Sequence, residues 1–225
     1  MKLKTISLAA LALASFTGVS QAAVVVSGSG NNTGFTVSGI DLLQTQLSST
    51  SNNITINTAE NNTWSGGATV ASLTDGLFPT SPRSSTGSLA ITGGNVVYTL
   101  DTSVNTYGYD LTSIGIFSGW NDDGRDGINV TVSYATVAAP LTFVNITTAT
   151  QDNGSARFEN ANITENVSPN VLATGVKAIR FTFNSQENGA VGYKELDVIG
   201  AASVPEPSTA LLGGLGLLAL LRRRR

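Results

Sequence analysis

Over most of this chain, apolar and polar residues alternate one by one. In "NVVYTL", Val96, Tyr98 and Leu100 share one face. In "INVTVSY", Ile128, Val130, Val132 and Tyr134 fall on one side, and Asn129, Thr131 and Ser133 on the other. In "KAIRFTF", Ile179, Phe181 and Phe183 alternate with Arg180 and Thr182, and in "KELDVIG", Leu196 and Val198 alternate with Glu195, Asp197 and Ile199. Successive side chains of a strand point to opposite faces, so period two over five to seven residues specifies strands with one buried face. Further strand candidates are "AVVVSG", "GFTVSGI", "NITINT", "TSIGIF" and "LTFVNIT". The turn signals "GSGNN", "TGG", "NDDGRDG" and "QDNGS" lie between them. The body is rich in Asn, Thr, Ser, Gly and Val, which suits strands and turns and disfavours long helices. The expected fold class is all-β, an antiparallel β-sandwich. The polar stretch Ser48–Ala59 is expected to be a loop or an edge strand.

The two ends do not follow this pattern. Residues 1–22, "MKLKTISLAALALASFTGVSQA", carry the parts of a secretory signal: Lys2 and Lys4, then the short apolar run Ile6–Val19, then Ser20-Gln21-Ala22. Small residues at Ser20 and Ala22 predict a signal-peptidase cut between Ala22 and Ala23. The other end, residues 203–225, runs from "SVPEPS" through Ala210–Leu221, which has no charge, to Arg222, Arg223, Arg224 and Arg225. Each proline locks φ and biases its predecessor away from helix. The apolar run is shorter than the roughly 20 residues of a stable membrane span. Arginines stay on the cytoplasmic side, so the body is expected outside and the basic end inside. The predicted organisation is a signal peptide at 1–22, a β-sandwich at 23–202 and a sorting segment with a transmembrane-like helix at 203–225.

Half of the 12 Lys and Arg residues sit at these two ends, whereas 14 of the 15 acids lie in the body. The body therefore carries a net charge of about −8, which disfavours nucleic acid because phosphate contact needs a basic surface. There are no cysteines and no histidines. That excludes a Ser-His-Asp triad, a Cys-His pair and an ordinary zinc site, and leaves carboxylates as the obvious acid–base groups.

The order of motifs in the body carries a resemblance. "ASLTDG" is followed by the strand "VVYTL", then "GWNDDGRDG", and later a last strand "YKELDVIG" with an acid just after Tyr193. Over roughly residues 70–200 this resembles the galactose-binding-like, discoidin-type jelly roll. The resemblance implies a structural Ca²⁺ held at the Asp-Gly turn and completed from the last strand, with Asp75 and Glu195 as the matching residues. Calcium takes six to eight oxygens, and turns expose carbonyls beside an acid. Here "LFPTSP" stands where further polar ligands would follow the Asp-Gly.

Other residues suggest chemistry less specifically. Asp122, Asp123 and Asp126 crowd one loop around Gly124 and Gly127, without the spacing of an EF-hand. Arg125 is placed either to pin that loop or to contact a ligand. Trp64 and Trp120 could stack on sugar rings, or cap the core. A carboxylate-dependent hydrolase would need paired acids at a defined separation, and no acid is flanked by the apolar residues that would raise its pKa. The expectation is a non-enzyme. N-x-S/T triplets such as Asn53-Ile54-Thr55 and Asn145-Ile146-Thr147 are expected by chance in so Asn- and Thr-rich a chain.

The tail resembles the PEP-CTERM sorting signal: Val204, Pro205, Glu206 and Pro207, then a short apolar helix, then the basic end. The resemblance implies recognition by an exosortase-type transpeptidase, loss of the tail, and a final place at the cell surface or in an exopolysaccharide matrix. The expected function is an exported carbohydrate-binding or adhesive sandwich. A structural matrix component without a discrete ligand, or a glycan hydrolase, is the alternative.

Overall fold

The computed structural model describes residues 23–58, with backbone only for 48–58, and residues 68–78, 88–120, 124–184 and 187–204. The predicted signal helix and transmembrane-like helix lie outside these residues. Among the described residues no helix is long and apolar enough to cross a membrane.

Within the described residues nine strands run in the order β1 (Val24–Asn31), β2 (Leu47–Thr58), β3 (Leu89–Leu100), β4 (Tyr109–Gly119), β5 (Ile128–Thr136), β6 (Val144–Gln151), β7 (Phe158–Glu165), β8 (Ala173–Phe183) and β9 (Val191–Ala202). Among the described residues a one-turn helix α1 (Leu42–Thr45) and a 3-10 turn (Val70–Leu73) are the other elements. All pairings are antiparallel. One face of the sandwich is β1-β7-β4-β9 and the other is β2-β3-β8-β5-β6. Strand β3 belongs to both. Its start, Leu89–Ile91, pairs with β9, and its second half, Gly94–Thr99, pairs with β8. The corner falls at Gly93 and Gly94, with φ of 123° and 94°. Glycine occupies such angles without the steric cost a Cβ brings. "TGG" is therefore a corner within a strand rather than the turn the sequence suggests. A second seam joins Tyr109 and Leu111 of β4 to Val176 and Ala173 of β8.

The inner faces meet in one core. Ile114, Ile116, Leu196 and Val198 from one sheet pack with Val96, Tyr98, Val130, Val132, Ile179 and Phe181 from the other. Each fully buried side chain of this kind contributes about 1.5–3 kcal/mol relative to exposure. The expected loop or edge strand is, over 48–58, part of the edge strand β2, which pairs with β3. Two expectations fail. "GFTVSGI", Gly34–Ile40, is not a strand but a loop, in which Ser38 bonds to Asp197 of β9. Strand β7, "FENANITE", was not anticipated, because buried Glu159 and Glu165 occupy its ends where alternation would place apolar residues.

The registers sort the strand ends into two poles. Ala23 and Glu165, Tyr109 and Ala202, and Thr136 and Val176 meet at one pole, which is where Ser203 bonds to Gly108. Asn31, Phe158 and Gly119, together with Ile128 and Gln151, meet at the other. At about 3.3 Å per residue, strands of this length separate the poles by roughly 30 Å.

Candidate functional site

Strand β9 carries the most unusual chemistry. Its residues Val191–Val198 are all buried, including Lys194, Glu195 and Asp197. Phe117 of β4 pairs with Glu195 and Ser118 pairs with Tyr193, so Lys194 is the extra residue of a β-bulge. A bulge sets two residues against one and re-aims a side chain. Tyr193 and Leu196 both enter the core, while Lys194 and the acids turn to the outer face. That face is covered by the 35–44 and 73–78 loops. Phe35, Phe78, Phe117 and Phe158 pack on one another with ring centroids 5.4–6.2 Å apart.

Three carboxylates converge under these loops. Oxygens of Asp41, Glu195 and Asp197 lie within 4.8 Å of one another, and all three residues are buried. Each binds loop backbone with one oxygen. Asp41 Oδ1 accepts from the N–H groups of Leu43 (2.6 Å) and Gln44 (3.1 Å), capping α1. Glu195 Oε1 accepts from Gly76 N (3.0 Å), and Asp197 Oδ2 from Ser38 N (2.8 Å). The other oxygens, Asp41 Oδ2, Glu195 Oε2 and Asp197 Oδ1, are buried without a hydrogen-bond partner, and so is Gln44 Oε1.

Burial pushes the carboxyl groups of Glu195 up to about 9 and of Asp41 up to about 7, and raises Asp197. Their mutual repulsion adds to the rise for Glu195 and Asp41. Such a group of acids needs protons or a cation. Three clustered carboxylates, each with one oxygen not used by loop backbone, make a hard, all-oxygen donor set of the kind calcium takes.

The predicted pair Asp75 and Glu195 is thus only partly brought together. Asp75 is exposed, bonds Leu77 N through Oδ1 (2.9 Å), and stands outside the three-acid group. Its turn contributes instead through the Gly76 N–H. Asp41 and Asp197 were missed. Asp197 had a signal, because residues two apart on a strand share a face with Glu195. Asp41 had only a capping pattern, Asp41 with Gln44 three residues on.

A second feature lies at the far pole. An open cleft of about 550 Å³ is lined by Gly127, Ile128, Asn129, Thr150, Gln151, Asp152 and Glu187. Glu187 Oε2 accepts from Asp126 N (3.1 Å) and Gly127 N (2.9 Å), fixing the loop at its rim. Glu159 behind it accepts from Asn153 N and Gln151 Nε2. Burial, then the charges of Glu187 and Glu159, push Asp126 up to about 7. Acids with raised pKa therefore exist, contrary to the sequence reading. Tertiary packing buries them, not their neighbours in the chain.

Trp120 and Arg125 lie at this pole, with Trp120 in the capping place that was one of its two expected roles. Trp120 is 7% exposed and packs with Ala90 and Ala190. The Arg125 guanidinium sits over its ring at 5.8 Å. The ring has no open face for a sugar, and Trp120 caps the core. Trp64, Asp122 and Asp123 lie outside the described residues.

Residues 203–225 match the family described as the PEP-CTERM protein-sorting motif. The chain carries a PEP-CTERM tail. Of that tail Val204 is described and is 78% exposed, whereas Pro205, Glu206, Pro207 and Arg222–Arg225 lie outside the described residues. The tail implies an exported protein held transiently at the membrane and processed by an exosortase. No curated protein sequence matches the chain. Among solved structures, one of the CBM32-1, CBM32-2 and M60 catalytic domains of Clostridium perfringens ZmpB is similar at 11% identity and TM-score 0.44. The match covers 79% of this chain and only 17% of that one. CBM32-1 from a family 31 glycoside hydrolase of Clostridium perfringens is similar at 6% identity and TM-score 0.39, over 69% of this chain and 98% of that one.

Proposed function

We propose that this protein is a cell-surface or matrix adhesin that contacts carbohydrate through the cleft at Gly127–Asn129, Thr150–Asp152 and Glu187. The observation that supports this reading is the placement of the two poles. The PEP-CTERM tail leaves beside Gly108 and Ser203, and the cleft opens at the opposite pole. While the tail holds the chain at the membrane, the cleft faces away from it. Amides, a hydroxyl and carboxylates in one concave surface are the groups that bond sugar hydroxyls. A glycan array probed with the exported protein tests the reading, together with Thr150→Trp. Thr150 is exposed and lines the cleft, so the indole fills the cleft without removing a structural hydrogen bond. Binding by the wild type that falls more than about tenfold in the variant supports the proposal. No binding to any exopolysaccharide glycan favours a structural matrix component. Release of sugar that disappears in Asp126→Asn favours a hydrolase.

A structural Ca²⁺ belongs to the same reading. Asp41, Glu195 and Asp197 would hold it, and it would supply the positive charge that the three carboxylates lack. Its role is to clamp the 35–44 and 73–78 loops onto β9. The unpaired oxygens Asp41 Oδ2, Glu195 Oε2 and Asp197 Oδ1 support this assignment. Thermal melting with and without calcium is the test.

A further inference from the structure

Strand β1 begins at Val24, paired with Glu165 at the end of β7. One residue earlier, Ala23 N donates to Glu165 Oε1 at 2.8 Å. The same oxygen accepts from Val167 N at 2.9 Å. Glu165 is only 6% exposed, and its other oxygen, Oε2, is buried with no partner. Ala23 itself is exposed, and its carbonyl accepts from Asn166 N. A buried carboxylate thus meets a backbone N–H at the first described residue, with one acceptor satisfied and one left over.

The residue in question is the one that the sequence places just after a signal-peptidase cut. We propose that Glu165 is the receptor for the mature amino terminus, so that cleavage between Ala22 and Ala23 creates an ion pair that closes β1 onto β7. The chemistry balances simply. The Ala22–Ala23 peptide bond breaks, water gives its hydroxyl to the Ala22 carbonyl carbon and a proton to the Ala23 nitrogen, and the amine takes a further proton from solvent. A neutral amide with one donor becomes an ammonium with three. It keeps the bond to Oε1, and its added donors and charge meet Oε2. In the uncut precursor the same side chain is left buried with one oxygen unsatisfied, a costly arrangement. Processing and completion of the fold are then one event, and the sandwich is most stable only after export.

The test compares four exported full-length chains by N-terminal sequencing and thermal melting: wild type, Glu165→Gln, a Gly-Ser insertion between Ala22 and Ala23, and both changes together. The insertion keeps the cleavage signal but leaves an amide at Ala23. The proposal expects Ala23 as the first residue of the wild type. It expects either single change to lower Tm by about 4 °C, taking about 2–4 °C per kcal/mol for a domain of this size. The combination should fall little further, because both remove one interaction. A wild-type chain starting elsewhere than Ala23, an insertion that leaves Tm unchanged, or two additive losses would overturn it. Should Glu165→Gln not fold, the insertion alone decides.

Discussion

Lys194 and Glu195 are neighbours in sequence, yet both turn to the outer face of β9, because the bulge at Lys194 interrupts the alternation. The consequences for the two side chains differ. Glu195 joins two other acids. Among the described residues the Lys194 ammonium has no hydrogen-bond partner, and it lies 5.5 Å from the Phe78 ring and 5.4 Å from the Phe158 ring. The aromatic faces offset part of its desolvation. Burial still pulls its pKa down to about 8.

Lys194 should therefore mark the alkaline side of the stability profile. Between about 8 and 10.5 the unfolded chain holds this proton and the native state does not. Stability from this group rises with pH across that window, at up to about 1.4 kcal/mol per unit. Lys194→Met, which keeps volume and removes the charge, is expected to abolish that rise and to raise Tm at pH 7. Urea unfolding at pH 7, 8, 9 and 10 measures it, and an unchanged profile in the variant refutes the buried-amine account.

The three-acid group acts in the opposite sense. The metal-free native state keeps protons on Asp41 and Glu195 that the unfolded chain loses near 3.8 and 4.5. From there to about 7 and about 9, stability falls as pH rises. Millimolar Ca²⁺ should flatten this fall and lift Tm at pH 8 by about 5–10 °C, as occupancy near 100 times Kd gives about 2.7 kcal/mol. Asp41→Asn together with Asp197→Asn should remove the calcium response, while Asp75→Asn should leave it. A calcium response that needs Asp75 and not Asp197 would return the site to the Asp-Gly turn.

Gly192 shows how closely the far pole is packed. A Cβ there would run into the Trp120 ring and come within 2.7 Å of Gly119 O. Gly192→Ala is expected to destabilise by about 1–3 kcal/mol through overpacking and to shift the Trp120 fluorescence. Chemical denaturation monitored at the indole reads both at once.

Sorting has its own signature. Mass spectrometry of the surface or released form should find a chain lacking Arg222–Arg225. Replacing Pro205, Glu206 and Pro207 with alanine should leave those arginines in place. A mature protein that retains them with the motif intact would mean the tail is an anchor only.

Much of this was readable from residue order, and the exceptions share a cause. Alternation located β3, β5, β8 and β9, because each buries one face in a core that only apolar residues can fill. It missed β7, whose ends carry Glu159 and Glu165 turned inward. It also misjudged β9, where the second face is covered by loops rather than water. Glu195 was identified as a ligand candidate, but its partners were not, since Asp41 lies more than 150 residues away along the chain. For Trp120 the sequence left sugar stacking and core capping both open, because its burial against Ala90 and Ala190 is a contact between separate segments.

The order of residues alone determined the class of fold, the acidic exported character and the sorting tail, because period two, charge and a terminal address are local properties. Only the tertiary structure decided which carboxylates meet, which are buried, and that Ser203, where the tail begins, and the cleft lie at opposite poles. Those depend on register and on loops folding over a sheet face, where groups distant in the chain lose water together and change each other's charge.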